Sequence, residues 1–237
     1  MLNRFATLSQ MTADAMDIVV LEHEANAPAA LFAEWAGERG HTLTVLEVPA
    51  LTRWPDPRES DAVLSLGSDC SVHATPDPWI AQEVEFLRAA HDARVPVLGI
   101  CFGAQALAKA LGGDVARAPS VSVGWRTLPS EDAELVPPVS WFRWHEDVFS
   151  VPPGARELAR MGEAPLAFVA GRSIGLQFHP EADAELVTEW IGGARRQLAE
   201  QGVDEQALRR QVADESRGAR ERAFDLFDRV TAHWKRS

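Results

Sequence analysis

From Val95 the chain runs Val95-Pro96-Val97-Leu98-Gly99-Ile100 without a polar break, meets Cys101, and continues into a helical stretch, Gly103 to Leu111, that Gly112-Gly113 ends. An apolar run without alternation reads as a strand buried on both faces, and such strands belong to parallel sheets covered by helices. Met16–Leu21 and Ala62–Leu66 are runs of the same kind, the second ending in a Gly67-Ser68-Asp69 turn. Helical spacing separates them: Leu31, Phe32 and Trp35 between Pro28 and Arg39, with Gly40 as the stop, then Ile80, Val84, Phe86 and Leu87 between Pro78 and Ala93. Thr42 to Val48 alternates as a further strand. This β-α-β-α rhythm predicts an α/β fold, a doubly wound and mostly parallel sheet flanked by helices.

Residues 114–170 read as short strand pieces broken by Pro119, Pro129, Pro137, Pro138, Pro152 and Pro153. Gly175 to His179 returns to a strand and 183–200 to a helix. Leu208, Val212, Phe224, Phe227, Val230 and Trp234 recur at helical steps, around a charged run from Glu215 to Arg222 that reads as a solvated helix face. The expected organisation is an N-terminal arm at 1–15, one domain over 16–200, and a helical C-terminal extension, 201–237, packed on that domain. A net charge of −12 repels phosphate backbones and argues against nucleic acid as a partner. No apolar run approaches the roughly 20 residues that span a bilayer, and residues 1–15 lack the apolar core of a secretory signal. With two cysteines and no disulfide framework, the expectation is a cytoplasmic protein that does not engage membranes.

Gly99-Ile100-Cys101-Phe102-Gly103 is the G-x-S-x-G nucleophile elbow with sulfur in place of oxygen. A sharp strand-to-helix turn strains the nucleophile's backbone, and flanking glycines leave room for neighbouring chain. The helix that follows aims its positive end at the sulfur. A cysteine alone is more often a small core residue, but the glycine bracket reverses that preference. Such a nucleophile needs a base, and the base needs an orienting group. Gln177-Phe178-His179-Pro180-Glu181 supplies both, since residues two apart in an extended segment face the same side. Taken alone, His179 and Glu181 also fit a strand-end turn with a solvated carboxylate. Neither a zinc pattern nor a phosphate-binding glycine loop occurs, so the reading calls for no metal and no cofactor. Cys70 reads as a packed thiol.

Gly-Ile-Cys-Phe-Gly-Ala-Gln at 99–105, together with Gly-Leu-Gln-Phe-His-Pro-Glu at 175–181, closely resembles the class I (triad-type) glutamine amidotransferases, in particular the amidotransferase domain of GMP synthase in stand-alone form. The resemblance implies a flavodoxin-like fold and a catalytic triad of Cys101, His179 and Glu181. Cys101 would attack the side-chain amide of glutamine and pass through a γ-glutamyl thioester. It further implies an oxyanion hole from the backbone N–H groups of Phe102 and Gly67, although Leu66-Gly67-Ser68 stands where the family has Gly-Gly-Pro. Gln105 matches a glutamine-binding position. Trp144, His145 and Asp147 fall in a loop that holds the ends of glutamine, with Trp144 and Glu146 departing from the family pattern. Implied partners are glutamine or another γ-glutamyl compound, and a separate ammonia-accepting synthetase subunit. Two alternatives stand beside this: a γ-glutamyl peptidase or hydrolase, and a non-catalytic regulatory protein on the same fold. No motif addresses homo-oligomer formation.

Overall fold

The apolar runs are strands and the periodic stretches helices in a computed structural model that describes residues 15–236. The arm expected at 1–15 lies, but for Ala15, outside the described residues. The first half alternates as β1 (Asp17–Glu22), α1 (Ala30–Arg39), β2 (Thr42–Glu47), β3 (Ala62–Ser65), α2 (Pro78–Asp92), β4 (Val97–Ile100) and α3 (Phe102–Ala110). It continues with β5 (Val115–Thr127), β6 (Ser140–Phe149), β7 (Arg156–Met161), β8 (Ala164–Ala170) and β9 (Ser173–Leu176). The chain finishes in α4 (Ala184–Gly193), α5 (Arg195–Glu200), α6 (Glu205–Glu215) and α7 (Ala219–Arg236).

A seven-stranded sheet runs in the order β2-β1-β3-β4-β9-β8-β7. Its strands are parallel from β2 to β9, and β8 and β7 close the edge antiparallel. Every residue of β3, β4 and β9 is buried, as strands covered on both faces require. One face packs on α1 and α7, the other on α2 and α3. The doubly wound, mostly parallel α/β sheet expected from the sequence is therefore present. β5 and β6 form a separate antiparallel pair, which Trp125 and Phe142 pack against Leu186, Leu208 and Val212 of α4 and α6.

Four local expectations are corrected. The middle of the chain is not broken at Pro119: β5 spans 13 residues, and the ladder shifts register between Arg117 and Ser122, so the proline sits where no ladder bond is required. The helix expected over 183–200 divides at Ala194, whose φ of −102° leaves the helical range between α4 and α5. The charged run 215–222 is not one helix face, because α6 ends at Glu215 and Gly218, at φ +78°, turns the chain into α7. The strand expected over 175–179 stops at Leu176.

The C-terminal helix is part of the core. Phe227 of α7 is 1% exposed and meets Phe32 and Trp35 of α1 at ring-centroid distances of 4.9 and 5.6 Å. At the rim, Asp228 accepts hydrogen bonds from Trp35 Nε1 at 2.9 Å and from Arg39 Nε and Nη2 at 2.9 and 2.7 Å. Both partners of that ion pair are partly in solvent, so it contributes about 1 kcal/mol at most, and the buried rings carry the docking. Phe227→Ala is accordingly expected to lower the free energy of urea unfolding by about 3–5 kcal/mol. A loss below about 1 kcal/mol would show that α7 is not integral to the domain.

Candidate active site

In open α/β sheets the crevice for ligands forms at the carboxyl ends of the strands, where the strand order reverses. Here the reversal lies between β1 and β3, and the chain segments leaving β1, β3, β4 and β9 converge there. Cys101 follows β4 immediately. Its φ of +51° and ψ of −105° lie outside the ordinary regions for a residue with a side chain, a conformation held by the bond from its N–H to Leu176 O at 2.8 Å. Close packing around the turn explains both glycines. A Cβ on Gly103 would lie 2.2 Å from the Ser65 carbonyl oxygen, and one on Gly99 would lie 2.5 Å from the Gly103 carbonyl oxygen.

His179 and Glu181 leave the end of β9. They do not share a face of an extended strand: Pro180 and Glu181 lie in a turn, and that turn folds the carboxylate back onto the ring. His179 Nδ1 and Glu181 Oε1 are 2.7 Å apart, with side-chain exposures of 6% and 3%. The solvated carboxylate is thereby set aside. Burial disfavours the imidazolium, but the Glu181 carboxylate, the Cys101 sulfur and hydrogen bonds to both outweigh it and hold the pKa of His179 well above the usual histidine range. Trp190 of α4 packs its ring edgewise on His179 at 5.0 Å. The Cys101 thiol lies 3.6 Å from the Trp144 carbonyl oxygen, and Gln177 Nε2 approaches the sulfur at 3.7 Å.

Gly67 closes the other side. A Cβ there would lie 3.2 Å from His179 Cε1 and 3.8 Å from Cys101 Cβ, so a side chain at this position would press on the His179 ring. The backbone N–H groups of Gly67 and Phe102 have no internal acceptor among the described residues.

A cavity of about 240 Å³ on one side of Cys101 is lined by Gln105, Trp144, His145 and Asp147, among others. The last three are not in a loop; they lie on β6, where the antiparallel partner β5 fixes them. Asp147 Oδ2 accepts from Ser71 Oγ at 2.5 Å, and His73 Nε2 stands 3.7 Å from Oδ1. Gln105 Nε2 donates to Asp147 O at 3.2 Å and to Gln177 Oε1 at 3.3 Å, which spends both its N–H groups inside the protein. His145 donates from Nδ1 to Asp147 O at 2.9 Å. Burial pushes its pKa down to about 4, and Arg143 and His179 add to the shift against the Asp147 bond and charge. Glu146, on the same face of β6 as Trp144, also lines this cavity; it pairs with Arg117 and accepts from Gln197 Nε2 at 2.9 Å, tying β5, β6 and α5 together. Cys70 is partly buried against the α2–α3 core and reaches the rim of the same cavity. A second cavity, of about 310 Å³, adjoins it and shares Cys101 and Trp144 with it; Gly67, His179 and Trp190 are in its lining.

Sequence reasoning passed over Gln177, Trp190, and a buried pair, His23 and Glu83. Gln177 stood in the quoted motif, two residues before His179, and that spacing was the available signal. No local pattern marked Trp190, and His23 and Glu83 lie 60 positions apart.

The family model for glutamine amidotransferase class-I matches residues 35–189, more than half of the chain. The chain belongs to the class-I glutamine amidotransferases. GMP synthase (glutamine-hydrolyzing) of Thermus thermophilus is 34% identical over 130 residues, which cover 48% of this chain and 26% of that enzyme. The chain thus spans about a quarter of the length of that relative. A glutamine amidotransferase-like protein of Salmonella typhimurium, YfeJ, is 28% identical over 200 residues, covering 78% of this chain and 84% of that one. The crystal structure of a glutamine amidotransferase from Thermotoga maritima superposes with a TM-score of 0.81 at 24% identity, over 91% of this chain and 97% of that one. That likeness shows the shared fold.

His145 and His179, which line the two cavities at Cys101, differ in charge. Histidine NMR is expected to find His145 neutral down to about pH 4 and His179 charged well above pH 6.5. For His145 the unfolded chain takes up the proton first, so its linked stability falls as pH drops from the unfolded value toward about 4. For His179 the linked stability is fully present below the unfolded value and is lost as pH rises through the higher folded one. His145 titrating near 6.5 would contradict the buried geometry.

Proposed function

We propose that this amidotransferase hydrolyses the side-chain amide of glutamine to glutamate and ammonia through Cys101, His179 and Glu181. The observation that carries the reading is the nucleophile elbow at Cys101 facing a histidine whose other ring nitrogen is bonded to a buried carboxylate. The reaction starts from the pair in which the proton resides on His179, and the Cys101 thiolate attacks the amide carbon. The resulting oxyanion takes hydrogen bonds from the N–H groups of Gly67 and Phe102. His179 returns the proton to the amide nitrogen as the C–N bond breaks, releasing ammonia and leaving the γ-glutamyl thioester. Water then attacks the thioester, giving its proton to His179, and the collapse yields glutamate and restores the Cys101 thiolate beside the His179 imidazolium. Glu181 keeps the ring oriented and stabilises the imidazolium in both halves.

The 240 Å³ cavity is proposed as the site of the glutamine α-amino and carboxylate ends, with Gln105, Trp144, His145 and Asp147 around them. In this reading Asp147 takes the ammonium, while Gln105 and His145 stabilise the strand beneath it. Ammonia would pass to a synthetase partner, the class of chemistry named for the GMP synthase relatives. Free thiols at Cys70 and Cys101 fit a reducing cytoplasm. The 310 Å³ cavity beside Trp144 and Trp190 favours a second reading, in which larger γ-glutamyl amides are cleaved.

Purified chain is expected to release ammonia and glutamate from glutamine, with no release above background for Cys101→Ala. Glu181→Gln should lower kcat about 100-fold or more, because the ring loses its charged partner. Cleavage of γ-glutamyl amides but not of glutamine would favour the second reading, and turnover by Cys101→Ala would sink both.

A further inference from the structure

Behind the Gly67 loop lies a polar cluster that the proposed chemistry does not use. His23, one residue past β1, is 6% exposed, and Glu83, on α2, is fully buried. His23 Nε2 and Glu83 Oε2 are 2.7 Å apart with no side-chain exposure on either. The remaining oxygen, Oε1, accepts from Ser65 Oγ at 2.7 Å. His23 Nδ1 stands 3.1 Å from the Gly67 carbonyl oxygen. A carbonyl only accepts, so Nδ1 carries a proton. Burial alone would lower the pKa of His23, but the Glu83 carboxylate and the Gly67 carbonyl more than offset it, and the pKa is raised. The ring also packs edgewise on Phe102 at 4.8 Å and stacks on Trp79 at 5.2 Å. His23 therefore touches both residues whose N–H groups face the oxyanion in the proposed reaction.

Two carbonyls in succession are pinned on this loop. Leu66 O accepts from Gly103 N at 3.0 Å, and Gly67 O accepts from His23. In a trans peptide the N–H points opposite to the C=O, so both bonds turn the following N–H groups, of Gly67 and Ser68, away from their anchors. Neither has an internal acceptor among the described residues, and both residues line the cavity that holds Cys101 and His179. The first carbonyl is held by a backbone donor that every sequence supplies. The second depends on one side chain, at a glycine whose flanking peptides rotate with little steric resistance.

We propose that His23, braced by Glu83 and Ser65, is a positioning residue that locks the Gly67–Ser68 peptide and so keeps the oxyanion-binding loop closed on Cys101. The inference rests on the glutaminase reading for its rate effect. The lock itself is a property of the folded chain, present before substrate arrives. This loop is also where the sequence departs from the family's Gly-Gly-Pro, and His23 with Glu83 supplies from the side the rigidity that a proline would build into the loop.

Two variants separate the lock from simple packing. Asparagine places its side-chain N–H₂ near the position of Nδ1, whereas glutamine places its own near Nε2. His23→Gln is expected to keep the bond to Glu83 and lose the bond to Gly67, lowering kcat for glutamine about 10- to 100-fold with KM changed by no more than about threefold. His23→Asn is expected to restore the Gly67 bond and recover most of the lost rate. Alkylation of Cys101 by iodoacetamide, which needs no oxyanion hole, should proceed equally in wild type and His23→Gln. Amide hydrogen exchange over residues 66–70 should speed up in His23→Gln and return toward wild type in His23→Asn. Urea denaturation of all three proteins reads the packing contribution separately.

A fall in kcat that tracks stability alone, or equal losses in both variants, would overturn the positioning role. Unchanged exchange in His23→Gln would overturn the lock. A wild-type chain that releases nothing from glutamine would overturn the glutaminase reading instead, and the exchange comparison would still decide whether His23 holds the peptide.

Discussion

Cys101 occupies a left-handed backbone conformation between a buried strand and a buried helix, and most of the molecule can be read as what that conformation requires. A residue with a side chain held at φ +51° costs of order 1–3 kcal/mol, and it persists only where its surroundings over-determine it. Here they do. The Cys101 N–H bonds to Leu176 O, the Gly103 N–H bonds to Leu66 O, and Gly99 and Gly103 let three backbone segments meet at distances that no Cβ would allow. The central strands β3, β4 and β9 are parallel neighbours, so the loops leaving them arrive at one edge. Gly67, Cys101 and His179 are brought together by sheet order and not by proximity in sequence.

Around the sulfur the protein sets three buried histidines to three electrostatic conditions. His179 is held charged by Glu181 and by the sulfur; His23 is held protonated at Nδ1 by its need to donate to Gly67; His145 is held neutral by burial. The differences follow from partners. A carboxylate lies 2.7 Å from His179 and from His23, whereas the nearest bonded acceptor of His145 is a backbone carbonyl. The site thereby keeps one charged ring against the sulfur, one ring that donates to the loop, and one neutral ring beneath the cavity.

The parallel core was legible because its signal is local: an unbroken apolar run such as Ala62–Leu66 can be little else in a chain of this kind. The elbow and the His179–Glu181 pair were legible for the same reason, since strained or paired residues sit within a few positions of each other. Three features were not legible, each for a physical reason. Pro119 signals a break to any local rule, yet a bulge accommodates it inside β5. Trp144, His145 and Asp147 were expected in a loop on the family resemblance alone, and alternation that would mark a strand is hard to see when aromatic and charged residues occupy both faces. His23 and Glu83 lie 60 positions apart and become a pair only when β1 and α2 pack, so no spacing rule could connect them.

The central claim is that Cys101 is the nucleophile of a site shaped for the glutamine side chain. It is tested most directly by incubating the protein with 6-diazo-5-oxo-L-norleucine, a glutamine analogue that alkylates a nucleophile seated beside its side chain, and mapping the label by peptide mass spectrometry. The account predicts label on Cys101, absent from Cys70, and blocked by excess glutamine. Label on Cys70, or label on Cys101 that glutamine does not compete away, would contradict it.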